Sequence, residues 1–184
     1  MSTERLIFAG FGGQGVMSMG QMIAYAGMME NKHVTWCPSY GPEMRGGTAN
    51  CSVVVSDELI GSPIVLNDAT AAVIMNLPSL AKFEKDVIPN GVLLINSSLI
   101  EKRSSRNDIR VAYVEANKIA GDIGNPRAAN MVMLGALLTL QNIVSFDSIQ
   151  QAFLKVFGER KKEFLPGNEK ALNAGRDAVK NLVS

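Results

Sequence analysis

A glycine-rich turn between an apolar run and a helix limits what this chain can become. Leu6-Ile7-Phe8-Ala9 leads into Gly10-Phe11-Gly12-Gly13-Gln14-Gly15-Val16, and Gly10, Gly12 and Gly15 stand at G-x-G-x-x-G spacing. Such a turn needs positive φ angles and close backbone approach, which residues without a Cβ tolerate best. The helix that follows aims free N–H groups and the positive end of its dipole at the loop, an arrangement suited to phosphate or carboxylate. A plainer reading is that the glycines only let a first strand and a first helix pack closely. The motif without its context does not separate the two.

The rest of the chain alternates strand and helix signals. Residues 5–9 form a first strand buried on both faces, because the apolar run does not alternate. Val16–Glu30 reads as a helix, with Gly20, Ala24 and Gly27 at helical spacing on one face, and Val34-Thr35-Trp36 as the second strand of a β-α-β unit. Further strands are expected at Thr48–Ser56, Ala71–Met75, Val92–Ile95 and Val111–Val114, with Ile64 and Val65 as a short strand or edge. Pro89-Asn90-Gly91 reads as the turn into its strand. Helices are expected at Pro78–Glu84, Asn117–Asp122, Ala128–Asn142, Ser148–Phe157 and Asn168–Leu182. Phe146-Asp147-Ser148 is a candidate cap, Asn125-Pro126-Arg127 a break, and Pro166-Gly167 a loop before the last helix. The Ala128–Asn142 helix is apolar nearly all round, so it must be buried on several sides, in the core or against a partner. Together these elements predict a single α/β domain over residues 1–184: a Rossmann-like, largely parallel sheet, helices on both faces, and a helical C-terminal third.

One loop exceeds what the fold needs. Pro38-Ser39-Tyr40-Gly41-Pro42-Glu43-Met44-Arg45-Gly46-Gly47 holds two prolines, three glycines, an aromatic and an opposite-charge pair. Loops on a rigid scaffold tend to carry function. Asn96-Ser97-Ser98 sits where such a sheet presents polar groups to ligands, although Asn and Ser are also ordinary helix caps. Glu101–Asp108 and the basic run Arg160-Lys161-Lys162 read as solvated surface.

Composition removes several function classes. A net charge of +1 with 6% aromatic residues gives no electrostatic or stacking case for nucleic acid or a membrane surface. The N-terminus lacks a signal-peptide pattern and the longest apolar window, Met131–Leu138, is too short for a bilayer, so a cytoplasmic protein is expected. Cys37 and Cys51 are the two cysteines; they suit buried small hydrophobes, and a cluster held wholly by this chain would take four thiolates. There is no G-x-S-x-G elbow, no Walker sequence and no His/Cys/carboxylate set at metal-ligand spacing, and the sole histidine, His33, precedes the second strand. A dinucleotide site would need an acidic residue at the end of the second strand, roughly 20 positions past the glycines. Thr35-Trp36-Cys37-Pro38-Ser39 stands there instead, which argues against NAD. No catalytic or metal-ligating residue is assigned. The residues describe a binding domain that serves catalysis performed elsewhere.

Gly10–Val16, Val34–Trp36 and Pro38–Cys51, together with Ile60-Gly61-Ser62-Pro63, Asn76–Phe83 and Asn96–Ile100, resemble the gamma subunit of the 2-oxoacid:ferredoxin oxidoreductases. The likeness runs in order over about residues 5–140 and is greatest to the 2-oxoglutarate (KorC-like) branch, with the branched-chain 2-oxoacid enzymes next. It implies a subunit of a complex that converts a 2-oxoacid, coenzyme A and oxidised ferredoxin into an acyl-CoA, CO2 and reduced ferredoxin. In that family thiamine diphosphate and Mg2+ lie between alpha and beta subunits, and iron–sulfur clusters lie in beta or a delta subunit. The gamma domain is associated with CoA and packs on alpha and beta. The implied CoA-facing or interface residues here are Gly10, Gly12, Gly13, Gln14, Gly15, Ser39, Tyr40, Glu43, Arg45, Gly46 and Gly47, with Arg45 the leading cation. Competing readings are a structural subunit without a ligand, for which Met131–Leu138 and the Met-rich first helix would be contacts, and a nucleotide-binding Rossmann protein.

Overall fold

The computed structural model describes residues 2–40 and 48–182. Six strands form one sheet in the order β2-β3-β1-β4-β5-β6. They are β1 (Thr3–Phe11), β2 (His33–Tyr40), β3 (Thr48–Ser56), β4 (Ala69–Ile74), β5 (Val87–Asn96) and β6 (Arg110–Val114). β1, β4, β5 and β6 pair in parallel, whereas β3 runs antiparallel to both β1 and β2. The expected β-α-β unit is therefore split. β2 has the direction of β1, but β3 fills the space between them.

The helices are α1 (Val16–Met29), α2 (Leu77–Phe83), α3 (Ala116–Asp122), α4 (Ala129–Leu140), α5 (Phe146–Phe157) and α6 (Leu165–Val179). Strand alternation divides the core in two. Leu6 and Phe8 of β1 point into the larger cluster with α1, α4, α5 and α6, while Ile7 and Ala9 point into a smaller one with Leu80 and Phe83 of α2. Burial on both faces explains why the run Leu6–Ala9 does not alternate.

Every residue from Met131 to Leu138 is buried, and α4 packs chiefly against α6, then against α3 and β5. The apolar helix is thus core, and its use as a subunit contact is set aside. α4 and α6 cross where Gly135 meets the Leu172 carbonyl and Gly175 meets the Val132 carbonyl. Two missing Cβ atoms let these backbones touch.

Several local expectations change for identifiable reasons. Ile64 and Val65 form no strand, because the 57–68 connection closes on itself: Arg5 Nη2 donates to the Ile64 carbonyl, Leu66 N–H donates to Asp68, and Asn67 has φ of 55°. Pro89-Asn90-Gly91 is a bulge inside β5 and not a turn before it; pairing jumps from Ala69↔Val87 to Ala71↔Val92, with Asn90 at φ 67°. α5 begins at Phe146 because Ser145 is its cap, its Oγ accepting Ser148 N–H at 3.1 Å. α6 starts at Leu165 and absorbs Pro166 in its first turn, where a helix lacks intrahelical N–H partners anyway. Glu101–Asp108 is mostly exposed, as expected, and Arg106 anchors it by donating from Nη1 to the carbonyls of Glu84 and Val87.

Candidate functional site

β1 ends at Phe11 and the chain turns through Gly12–Gly15 into α1. Gly13 (φ 94°) and Gly15 (φ 76°) occupy left-handed conformations, while Gly10 and Gly12 do not. Gly10 answers a different need: a Cβ there would stand 2.6 Å from Gln14 Oε1 and 2.8 Å from Met75 Cβ. Gly15 carries both constraints, because a Cβ would also meet Asn130 Nδ2 at 2.5 Å.

Gln14 faces inward. Its Oε1 accepts Phe11 N–H at 2.6 Å and its Nε2 donates to the Met75 carbonyl at 3.1 Å. Both ends of the amide are used to tie the turn across the tips of β1 and β4. Gln14 thus shapes the turn, and the groups left for a ligand are backbone.

The turn forms one wall of a cleft of about 360 Å³. Ser18 of α1 continues that wall. Asn125, Arg127 and Asn130 form the facing wall, and Phe153, Phe157, Lys161, Phe164 and Asn168 close the far end. A second cleft of similar volume shares Gly13, Gln14, Arg127 and Asn130, and runs on past Met75 and Asn117. α1 and α4 both start here, with no side-chain cap and no acidic residue in the first turn. A 3-10 turn over Pro126–Ala128 leads directly into α4, and the positive dipole ends of α1 and α4 meet beside Arg127. Among the described residues, no carboxylate lines either cleft. Such a place stabilises an anion.

Arg127, Asn130 and Lys161 were not among the residues expected from sequence. Each lies more than a hundred positions from the glycines, and no local pattern links them. In the sequence Arg127 belongs to a break and Lys161 to a basic surface run.

Ser39 is exposed near the end of β2, and the backbone of Tyr40 pairs with Ala49. Thr48 pairs with Phe11, so the connection between β2 and β3 is rooted beside the glycine turn. Glu43, Arg45, Gly46 and Gly47 lie outside the described residues. Asn96 and Ser98 cap rather than present groups: Asn96 Nδ2 donates to Asn117 Oδ1 at 2.8 Å, and Ser98 Oγ accepts Lys118 N–H at the start of α3.

The cysteines do not converge. Cys51 is opposite Pro38 and Cys37 opposite Ser52, so the two thiols project to opposite faces of the sheet. Cys51 is buried against α1, and burial pushes its thiol up to about 12. His33 is exposed at the start of β2. Among the described residues no three His, Cys, Asp or Glu side chains are grouped for a metal ion, and no helix is long and apolar enough to cross a membrane.

Fold and cleft define an α/β domain whose glycine turn lines a cleft, and among the described residues no acid, base and nucleophile are gathered there. The chain belongs to the pyruvate ferredoxin/flavodoxin oxidoreductase family, whose sequence pattern matches residues 5–178, and within it to the gamma-subunit type. It is 42% identical over 181 residues to the ketoisovalerate oxidoreductase subunit VorA of Methanothermobacter marburgensis, covering 97% of this chain and 37% of that protein. It is 34% identical over 184 residues to the 2-oxoglutarate synthase subunit KorC of Methanocaldococcus jannaschii, covering 97% of this chain and 95% of that protein. The crystal structure of the keto/oxoacid ferredoxin oxidoreductase gamma subunit from Geobacter sulfurreducens superposes with a TM-score of 0.81 at 28% identity, over 97% of this chain and 99% of that one. The chain thus spans little more than a third of the ketoisovalerate relative and nearly all of the 2-oxoglutarate one.

Proposed function

We propose that this chain is the gamma component of a complex that oxidises a 2-oxoacid to acyl-CoA and CO2 with reduction of ferredoxin, and that it contributes to CoA binding and assembly. The observation that carries the CoA assignment is the meeting of the starts of α1 and α4, neither with a side-chain cap, around Arg127, in a cleft lined by no carboxylate among the described residues. CoA carries a pyrophosphate and a 3′-phosphate, and helix N-termini beside an arginine suit such groups. The Tyr40–Thr48 connection, rooted beside the turn, is proposed to reach toward the thiol end or a neighbouring subunit, with Arg45 as its cation.

In this reading the partners are alpha and beta subunits, a delta subunit where clusters are carried there, and ferredoxin through the complex, in the cytoplasm. Thiamine diphosphate with Mg2+ and the iron–sulfur clusters, held by those partners, supply carbanion stabilisation and electron transfer. This chain's residues do the binding: the turn and Arg127 neutralise phosphate charge and orient the ligand. The 2-oxoacid is of the 2-oxoglutarate or ketoisovalerate kind, as in the named relatives.

Assembly finds support in a second feature. Leu59, Ile64 and Leu66 point outward from the 57–68 connection, whose backbone Arg5 and Asp68 hold in place. Apolar side chains displayed on a fixed loop suit a subunit contact.

The test is steady-state kinetics of the assembled complex with 2-oxoglutarate and 2-ketoisovalerate. Arg127→Ala is expected to raise the CoA KM about tenfold or more while the 2-oxoacid KM stays within about twofold. An unchanged CoA KM in an intact complex, for Arg127→Ala and Arg45→Ala alike, removes CoA from this site.

A further inference from the structure

We propose that Asn96 is a positioning residue that fixes which end of the Asn117 amide faces the second cleft. This role rests on CoA as the ligand of the joined clefts, and it belongs to a residue that never touches that ligand. Asn96 ends β5 and is 0% exposed, whereas Asn117 is exposed and lines the second cleft with Gly13 and Arg127. The two amides meet, Asn96 Nδ2 donating to Asn117 Oδ1 at 2.8 Å.

The backbone sets the direction of that bond. Ser98 N–H donates to Asn96 Oδ1 at 3.3 Å, and a main-chain N–H can only donate. The amide oxygen of Asn96 therefore faces Ser98, its nitrogen faces Asn117, and the oxygen of Asn117 turns inward to receive it. Asn117 has Nδ2, a donor, left for the cleft. The frame around these amides is fixed. Ser97 N–H donates to the Val114 carbonyl at 2.9 Å, Leu99 and Ile100 N–H donate to the Asn96 carbonyl, and Ser98 Oγ accepts Lys118 N–H at 3.3 Å. Turning the Asn96 amide over would set donor against donor at Ser98, in a place shut off from water.

Polarity makes this orientation matter for binding. The second cleft carries the Arg127 guanidinium and the start of α4, and among the described residues no carboxylate lines it. The Gln14 amide is spent on Phe11 and Met75. A ligand oxygen between Arg127 and Asn117 meets a donor on each side, whereas an Asn117 amide turned the other way would oppose it with its own oxygen. Asn96 supplies an acceptor toward Ser98 and a donor toward Asn117; a carboxylate in its place keeps the first and loses the second.

A double-mutant cycle on the CoA kinetics of the assembled complex tests this role. Asn117→Ala removes the donor and is expected to raise the CoA KM about three- to tenfold, the scale of one hydrogen bond, with kcat and the 2-oxoacid KM within about twofold of wild type. Asn117→Asp keeps the bond from Asn96 but turns a carboxylate oxygen to the cleft, and should raise the CoA KM about tenfold or more. Asn117 is exposed, so both variants are expected to fold. Asn96→Asp makes the Asn117 amide turn over and should raise the CoA KM at least as far as Asn117→Ala does. In the Asn117→Ala background the same change is expected to alter the CoA KM less than about twofold, while it lowers the urea midpoint in both backgrounds. Asn96→Ser repeats the cycle without a buried charge. Equal effects on the CoA KM in the two backgrounds would show a structural role alone and overturn the positioning role. Wild-type CoA KM values for Asn117→Ala and Asn117→Asp, with Arg127→Ala still raising it, also overturn that role and leave CoA in the cleft. If Arg127→Ala leaves CoA kinetics unchanged as well, the CoA assignment falls with it.

Discussion

The side chain of Gln14 closes the gap between the ends of β1 and β4 by donating to the Met75 carbonyl at 3.1 Å while accepting Phe11 N–H at 2.6 Å. One residue of the glycine turn thereby stitches the turn to the strand across the cleft floor. Gly10 supplies the room: any Cβ there would overlap the Gln14 amide. Replacing Gln14 by Ala leaves the Phe11 N–H and the Met75 carbonyl short of a partner. The expected loss is about 1–3 kcal/mol of stability, read as a lower urea midpoint. Gln14→Glu keeps the acceptor and loses the donor, and should fall between the two. Equal midpoints for all three proteins would contradict the stitch.

Gly13 and Gly15 both have positive φ, 94° and 76°, and different surroundings. A Cβ on Gly13 meets nothing within 4 Å, whereas one on Gly15 runs into Asn130. Gly13→Ala is expected to lose about 1–2 kcal/mol, the strain of the left-handed conformation alone. Gly15→Ala adds displacement of Asn130, so it should lose more, and Asn130→Ala should restore part of the difference. Chemical denaturation of the two single variants and the Gly15→Ala/Asn130→Ala double variant measures this.

The contact between α4 and α6 makes a sharper contrast. Gly135→Ala and Gly175→Ala each press a methyl into a facing backbone carbonyl, which only helix separation can relieve. Each is expected to lose about 3 kcal/mol or more, the upper part of the range for overpacked cores. Gly121 of α3 has open space around it, so Gly121→Ala should gain about 0.5–1 kcal/mol from helix propensity. Thermal melting of the three proteins side by side decides the matter. A Gly135→Ala protein as stable as the Gly121→Ala one would mean that the helices do not touch.

Cys51 predicts a pH dependence. Burial raises its thiol from the ordinary 9.0 to about 12, so between those values the unfolded chain releases a proton that the folded chain retains. Stability is lost as pH rises through that window, by roughly 1.4 kcal/mol per pH unit from this group. Cys51→Ala should flatten the fall in unfolding free energy between pH 9 and 11 by about that amount relative to wild type. Parallel pH profiles would sever the link between Cys51 and stability.

The chain's own pattern determined much of this protein. The non-alternating run Leu6–Ala9, the glycines after it, the Val16 helix start and the strand-helix alternation to Val114 are local features. Sterics at each residue and the spacing of apolar side chains decide them, so they are readable without a fold. The missing acidic residue near Cys37 was equally local, and it redirected the glycine turn away from NAD. The family, too, was legible in motifs such as Gly10–Val16 and Pro38–Cys51.

Tertiary structure alone decided what stands opposite what. β3 pairs antiparallel between β1 and β2, and a buried strand such as Thr48–Ser56 reads alike in either direction because its neighbours are set by long-range hydrogen bonding. The apolar α4 could have served as core or as subunit contact until α6 was seen to cover it through two glycines. Arg127, Lys161, Phe153, Phe157 and Phe164 became one cleft with Gly13 only when α4, α5 and the start of α6 packed against the turn. Contacts across more than a hundred residues depend on the cooperative burial of two cores, and no window of sequence contains that information.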